Sequence, residues 1–132
     1  IVTLTMNPCI DISSRIDNVV AERKLRCGEP EFEPGGGGIN VSRAVHKLGG
    51  ETEAVYTVGG TLGQMLRSLL DREKIRHRAV NIGGRTRESF IVYEKATTQQ
   101  YRFSLPGPHL EPDEWEACLT GVCGADVTPA AV

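Results

Sequence analysis

Gly35-Gly36-Gly37-Gly38-Ile39-Asn40-Val41-Ser42-Arg43-Ala44 is the stretch from which the fold is read. Glycine loses more backbone freedom on folding than any other residue, so four in succession need a structural reason. The run opens a helix, because Val41, Ala44, Val45 and Leu48 recur at i, i+3, i+4 and i+7. A glycine loop entering a helix lets a ligand approach bare backbone. It also aims unpaired N–H groups and the positive end of the helix dipole at that ligand. Asn40 and Ser42 stand in the first turn, where their side chains can cap the helix or meet the ligand. A flexible linker is the alternative, but Phe32-Glu33-Pro34 bounds the run on one side and the periodic helix on the other.

Outward from that run, strands and helices alternate. Residues 1–6 read as a strand, apolar at Val2, Leu4 and Met6. The helix over 39–48 stops at Gly49-Gly50. Residues 54–58 form a buried strand, and Gly59-Gly60 turns the chain into a second helix. Its Leu62, Met65, Leu66, Leu69 and Leu70 make one apolar stripe, a core face. Residues 79–82 are a short strand. Residues 112–119 are a helix with proline in its first turn and Trp115, Cys118 and Leu119 turned inward. This alternation predicts a parallel sheet covered by helices, an α/β sandwich.

Four segments stand outside that layer: 11–16, 25–32, 89–94 and 100–105, the last two joined by 95–99 as an antiparallel hairpin. They are polar-faced, and we assign them to a small antiparallel sheet projecting from the core. Phe90, Val92, Tyr93, Tyr101 and Phe103 give that sheet an exposed face suited to pairing with another copy.

The glycine run with Asn40 and Ser42, followed by Gly49 and Gly59, resembles the N-terminal signature of the PfkB (ribokinase-like) carbohydrate kinase family. Leu4-Thr5-Met6-Asn7-Pro8-Cys9-Ile10-Asp11 is similar to that family's first strand and substrate-binding Asp. Lys24-Leu25-Arg26-Cys27, Phe32-Glu33-Pro34-Gly35, Thr86-Arg87 and Gln100-Tyr101-Arg102-Phe103 fit its 6-phosphofructokinase branch. The resemblance runs from Val2 to about Leu119. It implies the N-terminal part of a three-layer α/β/α sandwich, with a β-sheet lid formed by about 11–33 and 87–105. It also implies ATP-dependent phosphorylation of fructose 6-phosphate to fructose 1,6-bisphosphate, with Mg2+, in the cytoplasm. In the family the lid covers the sugar and often clasps a second subunit's lid, so a homodimer is implied. Neighbouring readings are a 1-phosphofructokinase or tagatose-6-phosphate kinase. Readings without catalysis are a sugar-phosphate-binding module and a dimerisation domain.

The 132 residues are one domain's worth of chain, and complete family members are far longer. The family's catalytic Asp and anion hole lie on a second, C-terminal signature, Gly-Ala-Gly-Asp. No such stretch occurs here, so residues 1–132 are expected to be the N-terminal part of one kinase domain, without the catalytic base and inactive alone. Gly121-Val122-Cys123-Gly124-Ala125-Asp126 is a superficial lookalike, read as a turn into a following strand. The net charge of −2 gives no argument for nucleic acid or a membrane surface, and no apolar run reaches membrane-spanning length. The cysteines at 9, 27, 118 and 123 lack zinc spacing and are expected to be reduced and mostly buried.

Phosphoryl transfer to a sugar hydroxyl needs a held acceptor, a base at its oxygen and charge stabilisation around the moving phosphate. This chain offers parts for the first. Asp11, just after the first strand, can accept two sugar hydroxyl hydrogen bonds, or be a turn residue after Asn7-Pro8. The Gly36 and Gly37 backbone can approach the sugar, and Asn40 can donate and accept. Arg87 and Arg102 suit a phosphate because a guanidinium donates two parallel hydrogen bonds. Lys24 is a third cation, by resemblance supplied from a partner's lid. Arg15, Arg26, Arg43 and Arg85 are read as solvated charges. The glycine run is no P-loop, since no Lys-Ser/Thr follows it, and no carboxylate pair is a clear metal site.

Overall fold

In chain order the computed structural model, which describes residues 1–125, places β1 (Val2–Thr5), β2 (Cys9–Ile16), β3 (Glu31–Gly35), α1 (Gly37–Lys47) and β4 (Glu53–Val58). These are followed by α2 (Gly60–Arg72), β5 (His77–Asn81), β6 (Arg87–Glu94), β7 (Gln100–Ser104) and α3 (Pro112–Cys123). Two sheets result. One is parallel with order β1-β4-β5, and the other is mixed with order β3-β2-β6-β7.

β4 is central in the parallel sheet and buried at every position, the pattern of a strand covered on both faces. Ala54, Tyr56 and Val58 pack with Ile39 of α1 and with Leu66, Leu69 and Leu70 of α2. Val55 points the other way, toward α3. The result is three layers, with α1 and α2 on one side of the sheet and α3 on the other. The α2 stripe lies in the core as its spacing predicts.

α1 seats differently from the sequence reading. Ile39 and Ser42 are its buried residues, while Val41 is 49% and Leu48 88% exposed. Ser42 explains the rotation. Its hydroxyl pairs with Thr3 and accepts from Thr52, both at 2.8 Å, so a buried hydroxyl cluster anchors the helix to β1. Arg43 is not a solvated charge either. It grips Glu73 at the end of α2 through Nε and Nη2, each at 2.8 Å, and reaches Glu33 at 3.0 Å.

α3 also corrects the reading. It continues one turn past residue 119, so Gly121 is helical and not in a turn; Asp126 lies outside the described residues. Cys118 and Gly121 are its inward residues, whereas Trp115 and Leu119 are exposed. A Cβ on Gly121 would stand 3.1 Å from Val55 Cγ1, so small residues let this helix lie close against the sheet. Of the four cysteines, only Cys9 and Cys118 are buried; Cys27 and Cys123 are exposed thiols.

The second sheet is not wholly antiparallel. β2 and β6 run parallel in register from Cys9↔Arg87 to Ile16↔Glu94, while β3 and β7 are antiparallel to their neighbours. The reason is topological. β2 continues from β1 through Asn7-Pro8 and β6 continues from β5 through residues 82–86, so both leave the carboxyl-terminal end of the parallel sheet in the same sense. The strand expected over 25–32 begins only at Glu31, and residues 24–30 are irregular and exposed. No helix among the described residues is long and apolar enough to cross a membrane.

Candidate acceptor site

Successive side chains of a strand point to opposite faces. The register therefore gives the second sheet one polar face, carrying Cys9, Asp11 and Ser13 of β2, Glu33 and Gly35 of β3, Arg87 and Ser89 of β6, and Arg102 and Ser104 of β7. Asp11, Arg87 and Arg102 are thereby brought to one surface. The opposite face holds a row across all four strands, Phe32, Ile12, Phe90 and Phe103, with Val92 and Tyr101 beside it. Tyr93, which the sequence reading placed among these apolar residues, pairs with Arg15 and Gln100 on the polar face.

β3 delivers the glycine run to this polar face. A Cβ on Gly35 would overlap the Asp11 carboxylate and stand 2.6 Å from Cys9 Sγ, so glycine lets the carboxylate lie against the strand that leads into α1. Gly36 is the N-cap of α1 and holds φ at +125°. Thr5 closes the turn from below, its hydroxyl accepting the Ile39 N–H at 3.0 Å. Gly37 is exposed, and a Cβ there would meet nothing within 4 Å. The open end of α1 thus stands at the edge of the polar face with its dipole positive outward. Asn40 is exposed and does not cap α1; its own N–H bonds Gly36 O at 2.9 Å, and the capping expectation fails because the helix starts three residues earlier.

Cys9 reports on the electrostatics. Its thiol donates to Asp11 Oδ1 at 3.2 Å. Burial pushes its pKa up to about 12, the Asp11 hydrogen bond and charge add to the rise, and the Arg87 and Arg102 charges oppose it. This thiol sits where one carboxylate and two guanidinium groups are all felt. Arg87 Nε donates to Asn7 Oδ1 at 3.1 Å and Nη1 to Ser104 Oγ at 2.8 Å. The Arg102 side chain is exposed and makes no hydrogen bond or ion pair with the described residues. Lys24 lies in the exposed 24–30 segment and is tied to none of these groups. Farther along the polar face a cleft of about 1030 Å3 is lined by Ser13, Arg15, Arg26, Tyr93 and Lys95; Asp11 and Arg87 are not part of its wall.

The sequence reading missed Thr5, Asn7, Cys9 and Ser104 as parts of the arrangement. Only Asn7-Pro8 carried a signal, and it was that of a turn. The described residues bring together no group of three or more His, Cys, Asp or Glu that could hold a metal ion.

A parallel α/β layer with a four-stranded sheet raised from its edge, and a glycine-led helix at the junction, is the ribokinase-like α/β architecture. The chain belongs to the pfkB family of carbohydrate kinases, whose profile matches residues 2–118. It is 48% identical over 132 residues to ATP-dependent 6-phosphofructokinase isozyme 2 of Mycobacterium tuberculosis, covering 100% of this chain and 39% of that protein. It superimposes on phosphofructokinase-2 from Escherichia coli in complex with fructose-6-phosphate with a TM-score of 0.91 and 41% identity, over 95% of this chain and 41% of that one. A tetrameric inhibited form of the same E. coli enzyme matches with a TM-score of 0.85 and 41% identity, over 91% of this chain and 40% of that one. The chain spans about two-fifths of the length of the relatives it matches.

Proposed function

We propose that this chain is the acceptor-binding part of an ATP-dependent 6-phosphofructokinase, and that its second sheet is the lid over fructose 6-phosphate. The observation that carries this reading is the convergence of Asp11, Arg87 and Arg102 on one face beside the open end of α1. In this reading Asp11 accepts hydrogen bonds from sugar hydroxyls, and the exposed backbone at Gly36 and Gly37 lets the sugar approach. Asn40 donates to it or accepts from it, and the two guanidinium groups hold its phosphate. ATP and Mg2+ use rests on family membership, and the chain's own residues contribute to the acceptor alone. A homodimer through the lids, with Lys24 reaching the partner's site, is supported by the apolar row across the four strands and by the absence of any bond from Lys24 within its own described chain.

The test is a phosphoryl-transfer assay on the full-length protein with fructose 6-phosphate, fructose 1-phosphate and tagatose 6-phosphate side by side. The reading expects fructose 6-phosphate to have the highest kcat/KM and residues 1–132 alone to show no turnover. Preference for fructose 1-phosphate, or turnover by residues 1–132, would overturn it.

A further inference from the structure

Arg87 and Arg102 face the same surface but are held very differently. Arg102 is exposed and unanchored. Arg87 is fixed from two sides. Asn7, in the link between the two sheets, takes its Nε–H at 3.1 Å, and Ser104, the last residue of β7, takes an Nη1–H at 2.8 Å with the Leu105 carbonyl behind it at 3.5 Å. A guanidinium has five N–H donors, and here Nη2 keeps both of its own unclaimed. Asn7 is itself confined, since a Cβ on Gly107 would overlap its side-chain amide. The three supports come from residues 80, 17 and 18 positions away in the chain, all converging on one side chain.

We infer that Asn7 and Ser104, with Gly107 behind Asn7, are positioning residues that preset Arg87 so that its Nη2 edge meets the acceptor's phosphate without searching for a rotamer. This rests on the reading of Arg87 as a phosphate-holding group. An arginine left free loses considerable side-chain entropy when it is captured by a ligand, and an arginine held beforehand loses little. The lid thus carries one fixed and one adaptable cation. The fixed one sets where the phosphate lands, and the unanchored Arg102 side chain closes on it afterward.

The experiment is a kinetic double-mutant cycle on the full-length enzyme, reading KM for fructose 6-phosphate, KM for ATP and kcat separately. Asn7→Ala and Ser104→Ala should each raise the sugar-phosphate KM by roughly three- to tenfold, the size of one positioning hydrogen bond, and leave the ATP KM in place. Ser104→Thr, which keeps the hydroxyl, should restore the wild-type value. Gly107→Ala should reproduce Asn7→Ala, because the new methyl displaces a side-chain amide and no backbone. In an Arg87→Ala background none of these changes should raise KM further. If Arg87→Ala raises KM but Asn7→Ala and Ser104→Ala do not, or if their effects persist undiminished without Arg87, the positioning inference is overturned and the phosphate role of Arg87 stands. If Arg87→Ala itself leaves the sugar-phosphate KM unchanged, the inference falls together with the reading beneath it.

Discussion

Gly36 and Gly37 are adjacent, yet the fold constrains only the first. Gly36 holds φ at +125°, and a Cβ there would stand 2.6 Å from Thr5 Cγ2. Such a backbone conformation costs a side-chain-bearing residue about 1–3 kcal/mol. Gly36→Ala should therefore lower the thermal midpoint of the protein. Gly37→Ala adds a methyl into open space, so it should melt like the wild type and weaken sugar-phosphate binding by intruding on the ligand. Calorimetric melting beside a fructose 6-phosphate titration distinguishes the two; unchanged binding in Gly37→Ala would remove that backbone from the site. Asp11→Asn retains size and keeps an oxygen for the Cys9 thiol but turns one acceptor into a donor. It should lose acceptor affinity with an unaltered circular dichroism spectrum, and an unfolded variant would assign Asp11 to structure instead. At this scale the charged and glycine residues proposed for the site could be picked out of the sequence, because carboxylates, guanidinium groups and glycine runs announce their chemistry. Thr5, Asn7 and Ser104 could not. Their roles are hydrogen bonds to residues 34, 80 and 17 positions away, which no local pattern encodes.

Among the elements, α2 and α1 show why periodicity succeeds in one place and fails in another. The leucines of α2 have no competitor for the core. On α1 the inward positions are Ile39 and Ser42, whose buried hydroxyl is paired with Thr3 and Thr52, and Val41 and Leu48 are left exposed. The parallel pairing of β2 with β6 was hidden for a different reason, since strand direction across distant segments follows from topology. The turn joining β6 to β7 yields a pH prediction. Glu94 accepts the Val19 N–H at 2.6 Å, the Thr97 hydroxyl and the Tyr101 hydroxyl at 3.4 Å. These bonds, that of Thr97 foremost, hold its carboxyl below its usual range. A group depressed in the folded state stabilises at neutral pH and loses that contribution as pH falls through its folded value. The Val19 amide resonance should shift with a midpoint below that of a free glutamate, and Glu94→Gln should abolish the titration. A midpoint at or above the free value would show that the segment over 17–20 is not pinned by Glu94.

At the scale of the whole molecule, the second sheet has a polar face beside the open end of α1 and an apolar face opposite it. Phe32, Ile12, Phe90 and Phe103 form an apolar row, with Phe32 39% and Phe103 57% exposed. Ile12 packs against the core, while Phe32 and Phe103 leave exposed apolar surface that favours pairing. Phe90→Asp should yield monomers in sedimentation that bind sugar phosphate weakly, since Lys24 of a partner would be lost. A monomeric variant with wild-type affinity would refute the shared site and leave the kinase reading intact. The central claim is that the polar face holds the acceptor's phosphate, and the most direct measurement is the affinity of the full-length protein for fructose 6-phosphate in Arg87→Ala and Arg102→Ala. Each loses a charge-assisted hydrogen bond worth about 1.5–3 kcal/mol, so each should bind fructose 6-phosphate roughly 10- to 100-fold more weakly while ATP binds as before. Wild-type affinity in both variants would contradict the account.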